Sequence, residues 1–114
     1  MSNILSPNQS LNHNQALFSS NGKWELILQN DGNLVIYRRE NMHPTWATGT
    51  NGQDVWRAVM QTDGNLVLYA FNGHPVWASN TVGQNGAYLI MQDDGNLVIY
   101  KPTVPVWASG TNQP

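Results

Sequence analysis

The chain of 114 residues contains no cysteine. That absence removes disulfides, thiolate catalysis and cysteine-ligated metals together, and it fits a reducing compartment. Charge is scarce as well. Charged residues make up 11% of the chain, Lys and Arg total five, and the formal net charge is −2. With no basic stripe to follow a phosphate backbone, nucleic acid is not an expected partner. No apolar run approaches the roughly 18 residues of a spanning helix, so no membrane insertion is expected. The opening "MSNILSPNQS" has no charged n-region and no long apolar h-region. A cytoplasmic location is therefore favoured, with a secreted one open to a mature form.

Sustained helical periodicity is missing too. In its place stand ten glycines, six prolines, five tryptophans and many Asn and Gln. Such a composition suits an all-β protein full of tight turns. It equally suits hydrogen bonding to neutral polar ligands.

The chain repeats itself. "QNDGNLVIY" (29–37), "QTDGNLVLY" (61–69) and "QDDGNLVIY" (92–100) recur at spacings of 32 and 31 residues. Each is preceded by a short apolar stretch ("WELIL", "WRAVM", "AYLIM") and followed by a second shared element ("PTWATGT", "PVWASNT", "PVWASGT"). Short β-branched and aromatic runs bounded by Gly and Asn read as strands. One repeat reads as strand, turn, strand, loop, strand, and the whole as a single domain over 1–114.

The turn assigns the faces. If Asn30-Asp31-Gly32 is a three-residue hairpin loop with Gly32 left-handed, Gln29 pairs with Asn33. Alternation then puts Gln29, Asn33, Val35 and Tyr37 on one side, with Asp31 beside them. Trp24, Leu26, Leu28, Leu34 and Ile36 occupy the other. The second repeat places Trp56, Ala58, Met60, Leu66 and Leu68 on its apolar face, and the third Ala87, Leu89, Met91, Leu97 and Ile99. A two-residue turn would mix the faces. Three one-sided sheets bury their apolar faces most simply as a three-sided prism about a pseudo-threefold axis. Trp46, Trp77 and Trp107 would meet near that axis as core. Pro44, Pro75 and Pro105 would sit at strand starts, where a missing N–H costs least.

Turn and strand chemistry explains the glycines and the Leu/Ile positions. It does not by itself explain an outward amide, carboxylate, second amide and phenol held in register three times. Asp accepts hydrogen bonds, Gln and Asn donate and accept, and Tyr does either. Around a small apolar Val, that set matches the vicinal hydroxyls and exposed C–H groups of a sugar. Leaving a buried hydroxyl partner unpaired is costly, so such a site discriminates epimers.

Q-x-D-x-N-x-V-x-Y, three times at about 31 residues, resembles the signature of the monocot (bulb-type, snowdrop-like) mannose-binding lectins. The likeness runs over nearly the whole chain, including "SNIL" near the start and the W-A-[ST]-x-T segments. The resemblance implies a β-prism II fold and binding of α-D-mannose without calcium or any other cofactor. It also implies roles: Asp31 and Asn33 on the axial 2-hydroxyl, Gln29 on the 3-hydroxyl, Tyr37 on the 4-hydroxyl, and Val35 against the sugar's apolar face. The same roles fall to Gln61, Asp63, Asn65, Val67 and Tyr69, and to Gln92, Asp94, Asn96, Val98 and Tyr100. A homodimer by exchange of the C-terminal strand is implied, and so is avidity for mannose-containing glycans. Plant members usually carry a disulfide at the positions that are Gly32 and Trp56 here.

Other chemistries find less support. His13, His43 and His74 lie in unlike contexts and form no ligand pair. Each proposed site has one carboxylate, whereas glycoside hydrolysis needs two facing one bond, so no enzyme is expected. A bacteriocin- or toxin-like effector on the same fold, using sugar binding for targeting, is the alternative.

Overall fold

The structure, a computed structural model, describes residues 2–113. The ends of the expected domain, Met1 and Pro114, lie outside the described residues. Twelve strands follow one another: β1 (Ile4–Leu5), β2 (Gln9–Asn12), β3 (Ala16–Phe18), β4 (Trp24–Leu28), β5 (Leu34–Arg38), β6 (His43–Ala47), β7 (Val55–Met60), β8 (Leu66–Ala70), β9 (Pro75–Ala78), β10 (Tyr88–Met91), β11 (Leu97–Lys101) and β12 (Val104–Ala108). They form three four-stranded antiparallel sheets, ordered β3-β4-β5-β6, β2-β7-β8-β9 and β1-β10-β11-β12.

Each sheet takes three strands from one repeat. The fourth comes from the N-terminal segment, which the repeat pattern left without strands. That segment passes through all three sheets in turn, β1 beside β10, β2 beside β7 and β3 beside β4. It has a hexapeptide rhythm. Leu5, Leu11 and Leu17 are buried, one per strand. Asn8 and Asn14 turn the chain at φ of 69° and 63°, a conformation Asn tolerates better than most residues. Gln9 and Gln15 each accept from a backbone N–H three residues earlier.

The apolar faces meet in one core. Leu26, Leu28, Leu34 and Ile36 of the first sheet, Ala58, Met60, Leu66 and Leu68 of the second, and Leu89, Met91, Leu97 and Ile99 of the third are all fully buried. At one end Trp46, Trp77 and Trp107 close a triangle with ring centroids 5.7–6.0 Å apart and interplanar angles of 70–80°. That edge-to-face geometry is favoured for aromatic rings. The expected pseudo-threefold axis therefore passes through this triad.

One face assignment is corrected. Trp56 was expected in the core beside Ala58. A bulge between Val55 and Arg57 shifts the register, so Val55 pairs with Ala70 and is fully buried. Trp56 is displaced to a half-buried position, stacks on Phe71 at 5.8 Å, and donates its indole N–H to Ala70 O at 3.1 Å. The extra residue of a bulge re-aims the side chains around it.

The same bulge brings Val55 up to Gly32. A Cβ on Gly32 would lie 3.5 Å from Val55 Cβ, within the span across which two cysteines are bridged. In this chain Val55 is therefore the residue that faces Gly32.

Candidate functional site

The three motif turns have the expected geometry. In the first, Gly32 N–H donates to Gln29 O at 3.0 Å, Gln29 N–H donates to Asn33 O at 2.9 Å, and Gly32 has φ of 90°. Leu28 then faces Leu34 across the hairpin. The loop has three residues, and Gln29, Asn33, Val35 and Tyr37 fall on the outer face.

Each Asp is built into its turn. Asp31 Oδ1 accepts from Asn33 N–H at 2.9 Å, Asp63 Oδ1 from Asn65 N–H at 3.0 Å, and Asp94 Oδ1 from Asn96 N–H at 2.9 Å. A carboxylate has about four acceptor positions, so most of its capacity is left over. Tyr37 Oη lies 2.5 Å from the Gln29 amide. With the amide oxygen turned to that hydroxyl, its nitrogen donates to Asp31 Oδ1 and Oδ2 at 3.2 and 3.3 Å. Gln61 links Tyr69 and Asp63 in the same way. In the third repeat Gln92 lies 2.6 Å from Tyr100 Oη. In the first two clefts the glutamine thus spans from phenol to carboxylate and holds both in place.

The asparagines do more than the sequence reasoning allowed. Asn33 Oδ1 accepts from Gly49 N–H at 2.9 Å, Thr50 N–H at 3.2 Å and Thr48 Oγ1 at 3.3 Å. Asn96 Oδ1 accepts in the same way from Ser109 Oγ, Gly110 N–H and Thr111 N–H, and Asn65 Oδ1 from Ser79 Oγ and Thr81 N–H. Each carbonyl is committed to the protein, so each asparagine presents its NH₂ group, two donors, to whatever binds. Structure therefore accounts for half of this side chain, which corrects the view that turn and strand chemistry leaves Asn unexplained.

The W-A-[ST]-x-T segments now have a role that was missed, although their recurrence was visible. Thr50 Oγ1 donates to Gly32 O at 2.7 Å, Thr81 Oγ1 to Gly64 O at 2.5 Å, and Thr111 Oγ1 to Gly95 O at 2.7 Å. The hydroxyl two residues earlier (Thr48, Ser79 or Ser109) accepts from the Leu N–H after the motif Asn and touches the second hydroxyl. These pairs clamp the turn from below.

Val35, Val67 and Val98 are only 3–4% exposed. They form the floor of each cleft, with Gln, Asn and Tyr half-buried around it. Around the second motif, Asn8, Arg57, Val59, Gln61, Thr62, Asp63 and Tyr69 line a cavity of about 440 Å³. Around the third, Asn3, Ser20, Ile90, Gln92, Asp93 and Asp94 line another of about 440 Å³. Among the described residues there is no group of three or more His, Asp or Glu able to hold a metal ion. His13 instead places Nε2 2.5 Å from Val55 O.

No protein-family model matches the chain. Solved structures do. A monocot mannose-binding lectin from Gastrodia elata, described as monomeric, is 44% identical with a TM-score of 0.87, and the match covers 97% of this chain and 99% of that one. The chain belongs to the monocot mannose-binding lectin family. The mannose-specific agglutinin of snowdrop (Galanthus nivalis) bulbs, solved with methyl-α-D-mannoside, is 43% identical over 99% of this chain and all of that one, with a TM-score of 0.79. A mannose-specific lectin from Aloe arborescens is 46% identical over 50 residues, 44% of this chain and 42% of that lectin. The chain thus matches less than half the length of that curated relative. The three four-stranded sheets are the β-prism II fold of these bulb lectins. Members of the family are lectins, which bind carbohydrate and catalyse no reaction.

Proposed function

We propose that the chain binds α-D-mannose and mannose-rich glycans through its three Q-x-D-x-N-x-V-x-Y clefts, without calcium. One observation carries the reading. In each cleft the Asn carbonyl is consumed internally, so a fixed pair of N–H donors stands beside a carboxylate with free lone pairs. A sugar hydroxyl both donates and accepts, and that pair serves it from both sides. Asp31, Asp63 and Asp94, with Asn33, Asn65 and Asn96, would hold the axial 2-hydroxyl. Gln29, Gln61 and Gln92 would take the 3-hydroxyl, and Tyr37, Tyr69 and Tyr100 the 4-hydroxyl. Val35, Val67 and Val98 would lie under the ring. The protein supplies all of these groups, so the reading needs no bridging cation.

Calorimetric titration with methyl α-mannoside in EDTA, beside methyl α-glucoside, tests this. Heat with mannoside at about three sites per chain, and none with glucoside, is expected. Silence with both sugars at tens of millimolar overturns the reading.

Exchange of β12 between two copies would double the clefts. In the described chain β12 lies on its own β11, with Ile99 opposite Trp107. Exchange asks only that β12 make the same register with the β11 of a second copy. Light scattering should give the mass of two chains; the mass of one chain at every concentration overturns the exchange and leaves the sugar reading standing.

A further inference from the structure

The five motif residues are the same in all three clefts, but the residue opposite the motif tyrosine is not. Across the sheet, Glu25 pairs with Tyr37, Arg57 with Tyr69, and Tyr88 with Tyr100. Antiparallel partners sit side by side on one face, so each cleft has a different neighbour at its tyrosine end: an acid, a base and an aromatic ring. Glu25 is engaged by Arg39, whose Nε lies 3.6 Å from its Oε1. Tyr88 stacks on Tyr100 at 6.0 Å.

Arg57 is in a different state. Its guanidinium carbon lies 5.1 Å from the Trp56 ring and 5.9 Å from the Tyr69 ring. Its Nε is buried without a hydrogen-bond partner. Among the described residues no carboxylate lies within ion-pair distance of it. It also lines the same cavity as Gln61, Asp63 and Tyr69. Two aromatic rings lie against its guanidinium, and its place in the cavity lining puts it beside the motif residues of the second cleft. An arginine positioned this way, uncompensated, offers the fork geometry that suits a phosphate.

We infer that the second cleft prefers mannose carrying a phosphate at its 6-position over plain mannose, with Arg57 as the residue that reads it. This rests on the mannose reading of the motif. If the Asp–Asn pair holds the 2-hydroxyl and the tyrosine the 4-hydroxyl, carbon 5 and its exocyclic arm leave the ring next to the tyrosine. The 6-substituent therefore points at Arg57 in the second cleft. In the first it points at Glu25, an acid already paired with Arg39, and in the third at Tyr88, so neither cleft places an arginine opposite its tyrosine.

The test is titration of the full chain with methyl α-mannoside 6-phosphate and with methyl α-mannoside, at about 0.01 M and about 1 M salt. One site per chain should take the phosphorylated sugar about tenfold more tightly than the plain one at low salt, and the advantage should shrink at high salt. Arg57→Gln should bring the ratio of the two affinities close to one, while Arg57→Lys keeps part of it. An unchanged ratio in Arg57→Gln overturns the inference. So does equal affinity of the wild-type chain for both sugars, although plain mannoside binding then stands. Inorganic phosphate that displaces the phosphorylated sugar as well as mannoside 6-phosphate itself would mean an adventitious ion only. Failure of both sugars to bind removes the mannose reading and this inference together.

Discussion

Asn33 faces two ways, and the two halves of its side chain belong to different functions. Its oxygen ties down the 48–50 segment, and its nitrogen faces the cleft. Thr50 beneath it serves structure alone, filling the acceptor capacity of Gly32 O from a buried position. Thr50→Val keeps the shape and strands that carbonyl, so it should cost about 1–3 kcal/mol in chemical denaturation. It should also weaken the first cleft more than the other two, because the turn that carries Asp31 loosens. Tyr69→Phe is the opposite case. The phenol is half-buried at the rim and its hydroxyl meets only the Gln61 amide. Stability should change by about 0.5 kcal/mol or less, while the mannoside stoichiometry falls by one site. A Tyr69→Phe chain that still titrates with the wild-type stoichiometry would remove the tyrosine from the sugar contact.

Among elements, the hairpin turns and the loops under them decide what each glycine tolerates. Gly64, at φ of 91°, has no room for a side chain, because a Cβ there would overlap the Gln84 backbone. Gly32 has nearly the same φ, yet its nearest neighbours are 3.2–3.5 Å from a Cβ position. Gly64→Ala should therefore destabilise more than Gly32→Ala. The double variant Gly32→Cys with Val55→Cys should close a disulfide, seen as loss of free thiol. Enclosing about 24 residues, it should add about 3 kcal/mol less the strain at the turn. Pairing Gly32→Cys with Trp56→Cys should not close without backbone movement. The element-scale features divide by legibility for physical reasons. The three-residue turn was readable because it alone keeps polar and apolar residues of "WELILQNDGNLVIY" on separate faces. The bulge at Val55–Arg57 was not, since strict alternation of "VWRAVM" puts Trp56 inside with Ala58 and Met60, and nothing in the pattern marks the extra residue. Strands β1 to β3 were missed because two to four residues holding one buried Leu apiece are too short to alternate, and only the six-residue spacing of Leu5, Leu11 and Leu17 marks them. The clefts were legible as a set of residue types, but the clamp of paired hydroxyls was not, because side chains that hold a loop from beneath leave no face pattern.

At the scale of the whole molecule, each motif turn rests on the start of the next sheet, and the third returns to the first. Gly52 N–H donates to Asp31 O at 2.7 Å, Gly83 N–H to Asp63 O at 3.0 Å, and Trp24 Nε1–H to Asp93 O at 3.1 Å. The N-terminal segment adds a strap across all three sheets, so Leu11→Ala in its middle strand should cost about 2–5 kcal/mol, read from denaturant unfolding. A ring closed in this way sends the three outer faces in three directions from a body of 37 × 32 × 23 Å. Three clefts on three faces cannot all grip one small glycan, so a single chain should bridge separate glycans instead of chelating one. A single-sugar site that binds at millimolar strength supplies only about 4 kcal/mol, and bridging is how such sites gain avidity. The wild-type chain should therefore make a branched mannan solution turbid, reversibly with free methyl α-mannoside. A chain carrying Asp31→Asn and Asp63→Asn keeps one intact cleft. It should still give mannoside heat at one site per chain, and it should turn the mannan turbid only through the dimer that exchange of β12 would make. Turbidity from that variant would mean that a second copy supplies the missing valency, so the same experiment also reads the exchange of β12.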